Sequence, residues 1–163
     1  MNRYKFNYKK LNRELDKKRK KKNLTWTAVG QELRITPSTL KRTETGKPME
    51  ADGIRAMVAW LNFAPEDFVD SLHGSTVPPS MKCVPIADNK LRRFDKKALF
   101  RTLNIKRQAN NLSWQEVAKE IGNVSIAMLK NLSKGGRISI DLAVSITGWL
   151  GESIESLTYE SKN

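Results

Sequence analysis

The 163-residue chain holds little of what catalytic or metal-binding sites are usually built from. It has one cysteine, Cys83, and one histidine, His73. A lone thiol forms no disulfide within the chain, and a reducing cytosol is the compartment expected for such a protein. One Cys and one His also fall short of the usual zinc ligands. Its 17 carboxylates are scattered and stand mostly at expected helix starts, so no acidic cluster suggests a metal-dependent nuclease. P-loop and glycine-rich dinucleotide motifs are absent. No apolar run approaches the roughly 20 residues that cross a bilayer, and the first residues are basic rather than signal-like. The expectation is therefore a cytoplasmic, nucleoid-associated protein that is not an enzyme. No catalytic residue, metal, cofactor, small-molecule substrate or membrane partner is expected.

What the chain does have is repetition. Asn23-Leu24-Thr25-Trp26-Thr27-Ala28-Val29 returns 88 positions later as Asn111-Leu112-Ser113-Trp114-Gln115-Glu116-Val117. Asp52 through Trp60-Leu61 returns 89 positions later as Asp141 through Trp149-Leu150. The change of offset places one inserted residue in the second copy, with Gly122-Asn123 where the first has Arg34. Leu11, Leu15 and Arg19 answer to Leu99, Leu103 and Arg107. Two copies of a module of roughly 60 residues imply a duplicated small domain, near the lower size limit for independent folding. The expected division is 1–70 for the first domain, 71–94 for a linker and 95–163 for the second.

Formal net charge is +13, and its placement is uneven. Residues 1–24 carry 11 Lys/Arg against Glu14 and Asp16, whereas residues 51–94 are balanced. Clustered positive charge attracts polyanions. Only Leu11 and Leu15 lie near the run Lys17-Lys18-Arg19-Lys20-Lys21-Lys22. That is too narrow an apolar face for membrane-surface binding. A solvated helix end is the plain alternative.

Apolar spacing and caps predict five helices in each copy. In the first these are about Tyr8–Lys22, Trp26–Leu33 behind the cap Thr25, a short helix from Pro37 behind Thr36 that stops near Gly46, Ala51–Leu61, and a short one from Pro65. In the second they are about Asp95–Ala109, Trp114–Ile121, Ile126–Leu132, Ile140–Leu150 and Ile154–Tyr159. Ser113, Ser125, Ser139 and Ser153 stand at four of those starts. The four Trp residues recur at equivalent places, which fits core packing better than base stacking. Between the copies, Gly74 to Ser80 and Pro85 mark a loop, with Val77, Met81, Val84 and Ile86 apolar enough to rest against a domain.

Helices two and three of each copy are short, about three residues apart and followed by Gly, which is helix-turn-helix spacing. The run Ile35-Thr36-Pro37-Ser38-Thr39-Leu40-Lys41-Arg42-Thr43-Glu44-Thr45-Gly46 resembles that of the XRE/Cro-repressor-like regulators of bacteria and their phages. Trp60-Leu61 and Pro65-Glu66-Asp67-Phe68 resemble endings common in that family. The likeness covers nearly all of copy one and, less closely, copy two. It implies an all-α fold of two tandem five-helix lambda-repressor-like domains joined by a Pro/Gly/Ser-containing linker.

The resemblance also implies roles. Ser38, Thr39, Lys41 and Arg42 would line the outer side of a recognition helix, with Arg42 able to reach guanine O6 and N7. Thr27, Thr45 and Lys47 would lie near phosphates, beside the free N–H groups that open the Trp26 helix. Independently of the resemblance, the clustered charge makes Lys20, Lys21 and Lys22 candidates for further phosphate contacts. Carried to copy two, base readers become Ala127, Met128, Lys130 and Asn131, and phosphate residues Gln115, Lys134 and Arg137. Copy two departs from the family pattern there, because Ile126-Ala127-Met128 offers thymine methyls a surface but bases no hydrogen bond. The expected partners are double-stranded DNA and, as an option, a second copy of the chain. The expected function is a sequence-specific transcriptional regulator, a repressor acting by occlusion. The alternatives are a dimerisation or assembly module with minor, nonspecific nucleic-acid contact, and an RNA-binding or nucleoid-type protein that uses charge without sequence readout.

Overall fold

In the computed structural model, which describes residues 3–76, 78–85, 91–122 and 124–161, each copy opens with a strand, runs through four α-helices and closes with a second strand. Copy one comprises β1 (Tyr4–Phe6), α1 (Tyr8–Lys21), α2 (Trp26–Leu33), α3 (Pro37–Lys41), α4 (Ala51–Leu61) and β2 (Val69–Ser71). Copy two comprises β3 (Leu91–Phe94), α5 (Lys96–Ala109), α6 (Trp114–Ile121), α7 (Ile126–Asn131), α8 (Ile140–Leu150) and β4 (Thr158–Ser161). Short 3-10 turns follow α3 and α7, at Arg42–Thr45 and Leu132–Lys134. No helix among the described residues is long and apolar enough to cross a membrane.

The expected all-α, five-helix architecture is overturned by two small antiparallel sheets. β1 pairs with β2, Phe6 opposite Val69, and β3 with β4, Phe94 opposite Thr158. The expected fifth helices are single 3-10 turns, Pro65–Phe68 and Glu155–Leu157, each leading straight into a closing strand. Strands this short carry too few residues to show a period of two, and their partners lie more than 60 positions away in the chain. What holds them is the end of the same copy. Asn7 N–H donates to the Phe68 carbonyl at 2.7 Å, and Asp95 N–H donates to that of Leu157 at the same distance.

Helix starts follow from capping. Asn7, Thr25, Thr36, Asp95, Ser113, Ser125 and Ser139 each accept a backbone N–H of the first turn through the side chain. Glu116 returns the favour to Ser113 N–H, and those hydrogen bonds hold its carboxyl below the usual carboxylate value. Ser153 caps no α-helix; its hydroxyl accepts Ser156 N–H in the 3-10 turn.

The two copies share one continuous buried core, which runs from Leu11, Leu15 and Ile54 to Leu99, Leu103 and Ile146. Their meeting line is a seam built twice over. Ala51 N–H donates to the Ile138 carbonyl at 2.9 Å, and Ile140 N–H donates to that of Met49 at 2.8 Å, making a bridge between Glu50 and Ser139. Phe94 N–H donates to Asp52 at 2.7 Å, and Phe6 N–H to Asp141 at 3.4 Å. Each pair consists of repeat-equivalent residues, so a pseudo-two-fold axis passes through the seam between α4 and α8.

The symmetry fails at a buried ion pair. Arg55 forks onto Glu155 at 2.8 and 2.9 Å, with both side chains 2% exposed. The same guanidinium donates to the Val84 carbonyl, while Glu155 also accepts Val84 N–H. The mirror of this pair is Val144 with Glu66. Glu66, 4% exposed, is met among the described residues by the backbone N–H groups of Met81 and Ile154. Burial pushes its carboxyl up to about 7.

The stretch expected as a linker is anchored along its middle. Cys83 is buried, its N–H donates to the Phe63 carbonyl, and burial pushes its thiol up. Met81 and Val84, expected as its apolar contacts, keep exposed side chains and hold on through their backbones. Val77 and Ile86 lie outside the described residues.

Candidate nucleic-acid interface

The turn of copy one is fixed by Gly30. A Cβ there would stand 2.4 Å from the Ile35 carbonyl oxygen, so helix and turn touch backbone to backbone. Ile35 N–H donates to the Gly30 carbonyl at 2.9 Å, and Arg34 takes the left-handed conformation at φ 56°. The equivalent of Gly30 in copy two is Ala118, and there the turn is one residue longer. α6 ends at Gly122, φ 88°; Asn123, the other half of the expected insertion, lies outside the described residues.

Thr36 caps α3, and its hydroxyl also lies 2.8 Å from that of Thr39 and 3.2 Å from that of Ser38. Leu40 is fully buried and pins the helix to the core. Behind it, buried Thr43 donates to the Leu40 carbonyl and accepts from Asn12 of α1. Ser38, Lys41 and Arg42 are exposed and Thr39 is half-buried, so these four occupy the outer face. In copy two, Leu129 plays the part of Leu40, and buried Leu132 replaces Thr43. Ala127, Met128, Lys130 and Asn131 are all exposed.

Met128 has a second setting. With Val124 and Gly122 it lines a cleft of about 300 Å³ that Gly46 and Pro48 of copy one also line. The turn after α3 thus shares this cleft with the start of α7. Tyr8 also lines this cleft, donating its hydroxyl to Asp141 and accepting Met49 N–H; burial, then the bond to Asp141, pushes its phenol pKa up and keeps it neutral.

Of the expected phosphate residues, Thr27, Thr45, Lys47, Gln115, Lys134, Arg137, Lys20, Lys21 and Lys22 are exposed. Several already have local partners. Lys20 pairs with Asp16 at 3.0 Å yet keeps 69% of its side chain exposed, Thr45 donates to the Arg42 carbonyl, and Lys22 reaches over the Trp60 ring. Arg137 lies 3.9 Å from Glu50 and is 90% exposed. Arg19, with Lys20 second, holds the Asp16 carboxyl below its usual value.

The basic run divides into two kinds of residue. Lys18 donates to the Trp60 carbonyl and lies 4.6 Å over its ring; Arg19 grips Asp16 and the Leu24 carbonyl and lies 5.0 Å over Trp26. Lys106 and Arg107 repeat these placements on Trp149 and Trp114. These cations are built into each copy, and burial lowers the ionisation of Lys18. The four Trp rings are half-buried, capped by cations at the rim of the core rather than sunk within it. The Trp60 and Trp149 indoles donate to Glu32 and Glu120, each at 2.7 Å.

Sequence reading missed the seam. Its signals were Asp52 and Asp141, which repeat without being needed as caps, and Phe6 and Phe94, which repeat just before the first helix. Among the described residues, no group of His, Cys, Asp and Glu could hold a metal ion. In comparison with known proteins, no family model, no curated protein and no solved structure matches this chain.

Proposed function

We propose that the chain is a sequence-specific double-stranded DNA-binding transcriptional regulator of the cytoplasm, a repressor that occludes its site. The observation that carries this reading is α3. It is a capped helix pinned by Leu40, set at a fixed angle by the Gly30 contact, and open along Ser38, Lys41 and Arg42. Short donors on a rigid helix suit major-groove base edges, and the exposed cations on either side suit phosphates. Lys21, Lys22 and Lys47 supply affinity without sequence preference, and copy two extends the contact.

A second reading is favoured by Met128. An exposed apolar residue on a cleft between the copies suits a protein or ligand contact as well as it suits a thymine methyl. Selection of bound duplexes from a random pool separates the two. The regulator reading expects an enriched, information-rich motif. Uniform weak binding to all sequences, or none, would defeat it.

A further inference from the structure

Building on the DNA-reading assignment, we propose that a single chain fills a complete two-part DNA site without a second copy, reading two unlike half-sites at one fixed separation. Helix-turn-helix proteins commonly obtain a two-part footprint by pairing identical subunits across a two-fold axis. Here that axis lies inside the chain. Eight residues after α3 ends, copy one reaches Met49, whose carbonyl accepts Ile140 N–H; the equivalent Ile138 carbonyl accepts Ala51 N–H. The segments that follow the two recognition helices therefore meet in the same seam, and the cleft that Pro48 and Met128 both line shows how near the two units come. The surface by which such a module would pair with its like is already occupied.

The seam also selects its own partners. Pairing copy two with another copy two would set each buried Glu155 against Val144, taking away the Arg55 fork and leaving Arg92 of its own copy at 3.5 Å, an arrangement that buried charge disfavours. Pairing copy one with another copy one would bring Arg55 to Glu66. That exchange must compete with a second half held on the same chain at high effective concentration. The intramolecular pair wins, and it is necessarily a pair of unlike halves. One recognition surface offers Ser38, Thr39, Lys41 and Arg42, and the other Ala127, Met128, Lys130 and Asn131. The site should therefore lack two-fold symmetry, one half rich in hydrogen-bonded readout and the other in thymine methyls.

The test uses the full chain and the motif selected from random duplexes. Sedimentation of the complex should give one chain per duplex, with non-cooperative titration. Replacing either half by an inverted copy of the other should weaken binding more than about tenfold. So should inserting about five base pairs, half a helical turn, between the halves. Two chains per duplex, a palindromic motif, or a motif that tolerates the insertion would overturn the single-chain inference and leave the regulator reading standing. Absence of any motif would overturn both.

Discussion

At the residue scale the two copies differ most where a side chain would meet a base. Arg42 is exposed at the end of α3, and its equivalent is Asn131. Arg42→Ala should cost about 1–3 kcal/mol on the preferred site and relax preference at one base pair, with Asn131→Ala costing less. Titration of both variants against single-base site variants at one salt concentration measures this; a larger loss at Asn131 would reverse the roles of the copies. Gly30 makes a sharper structural prediction. A methyl group there must push back the Ile35 carbonyl, so Gly30→Ala should lower stability by roughly 1–3 kcal/mol, whereas Ala118 already carries that methyl in copy two. Thermal melting of the variant checks it, and an unchanged midpoint would mean that the turn yields freely. Gly30 could be read in the sequence as a glycine inside the expected Trp26–Leu33 helix. The reason for it could not, because the oxygen it faces belongs to a turn whose geometry only the fold shows.

At the scale of elements, sequence reading succeeded where a local signal exists. Trp26–Leu33, Ala51–Leu61, Trp114–Ile121 and Ile140–Leu150 stand as expected, since apolar spacing and caps are written within each stretch. It failed at Pro65–Phe68 and Glu155–Leu157, where apolar residues with a plausible start prove to be single turns into strands. Their fate is decided by β1 and β3, and no local pattern reports that. Helix α1 shows how a charge run mixes purposes. Lys18 and Arg19 are fastened to Trp60 and Trp26, and Lys20 to Asp16, while Lys22 reaches over the Trp60 ring only at 5.9 Å and stays exposed, so of the three expected phosphate lysines Lys21 and Lys22 are the best placed. Changing both to Gln should weaken binding to every sequence alike and reduce the salt slope by about 0.9 for each true contact. Binding isotherms over a salt series give that slope directly. An unaltered slope would mark the pair as a solvated helix end.

At the scale of the whole molecule, the duplication was plain from the sequence, but the union of its halves was not. Arg55 and Glu155 stand 100 positions apart, and nothing near either residue announces the other. Glu66 carries the same lesson into pH dependence. Its folded carboxyl titrates near 7 against an ordinary 4.5, so the folded state binds its proton more tightly than the unfolded chain does. Stability from this group is complete below about pH 4.5 and is lost as pH rises through about 7, by an amount on the order of 3 kcal/mol. Denaturant unfolding at about pH 5.5 and 8.5 should show the wild-type chain weaker at the higher value, and Glu66→Gln should remove most of that difference. Equal wild-type stabilities would exclude the buried titration. The Arg55–Glu155 fork has a consequence of another kind, in the order of synthesis. Copy one emerges from the ribosome first, with its guanidinium committed to the interior and its carboxylate not yet made. Until residue 155 is free of the exit tunnel, that charge must remain hydrated and the seam open, so the nascent first half is held short of its final packing by a residue the ribosome has still to deliver.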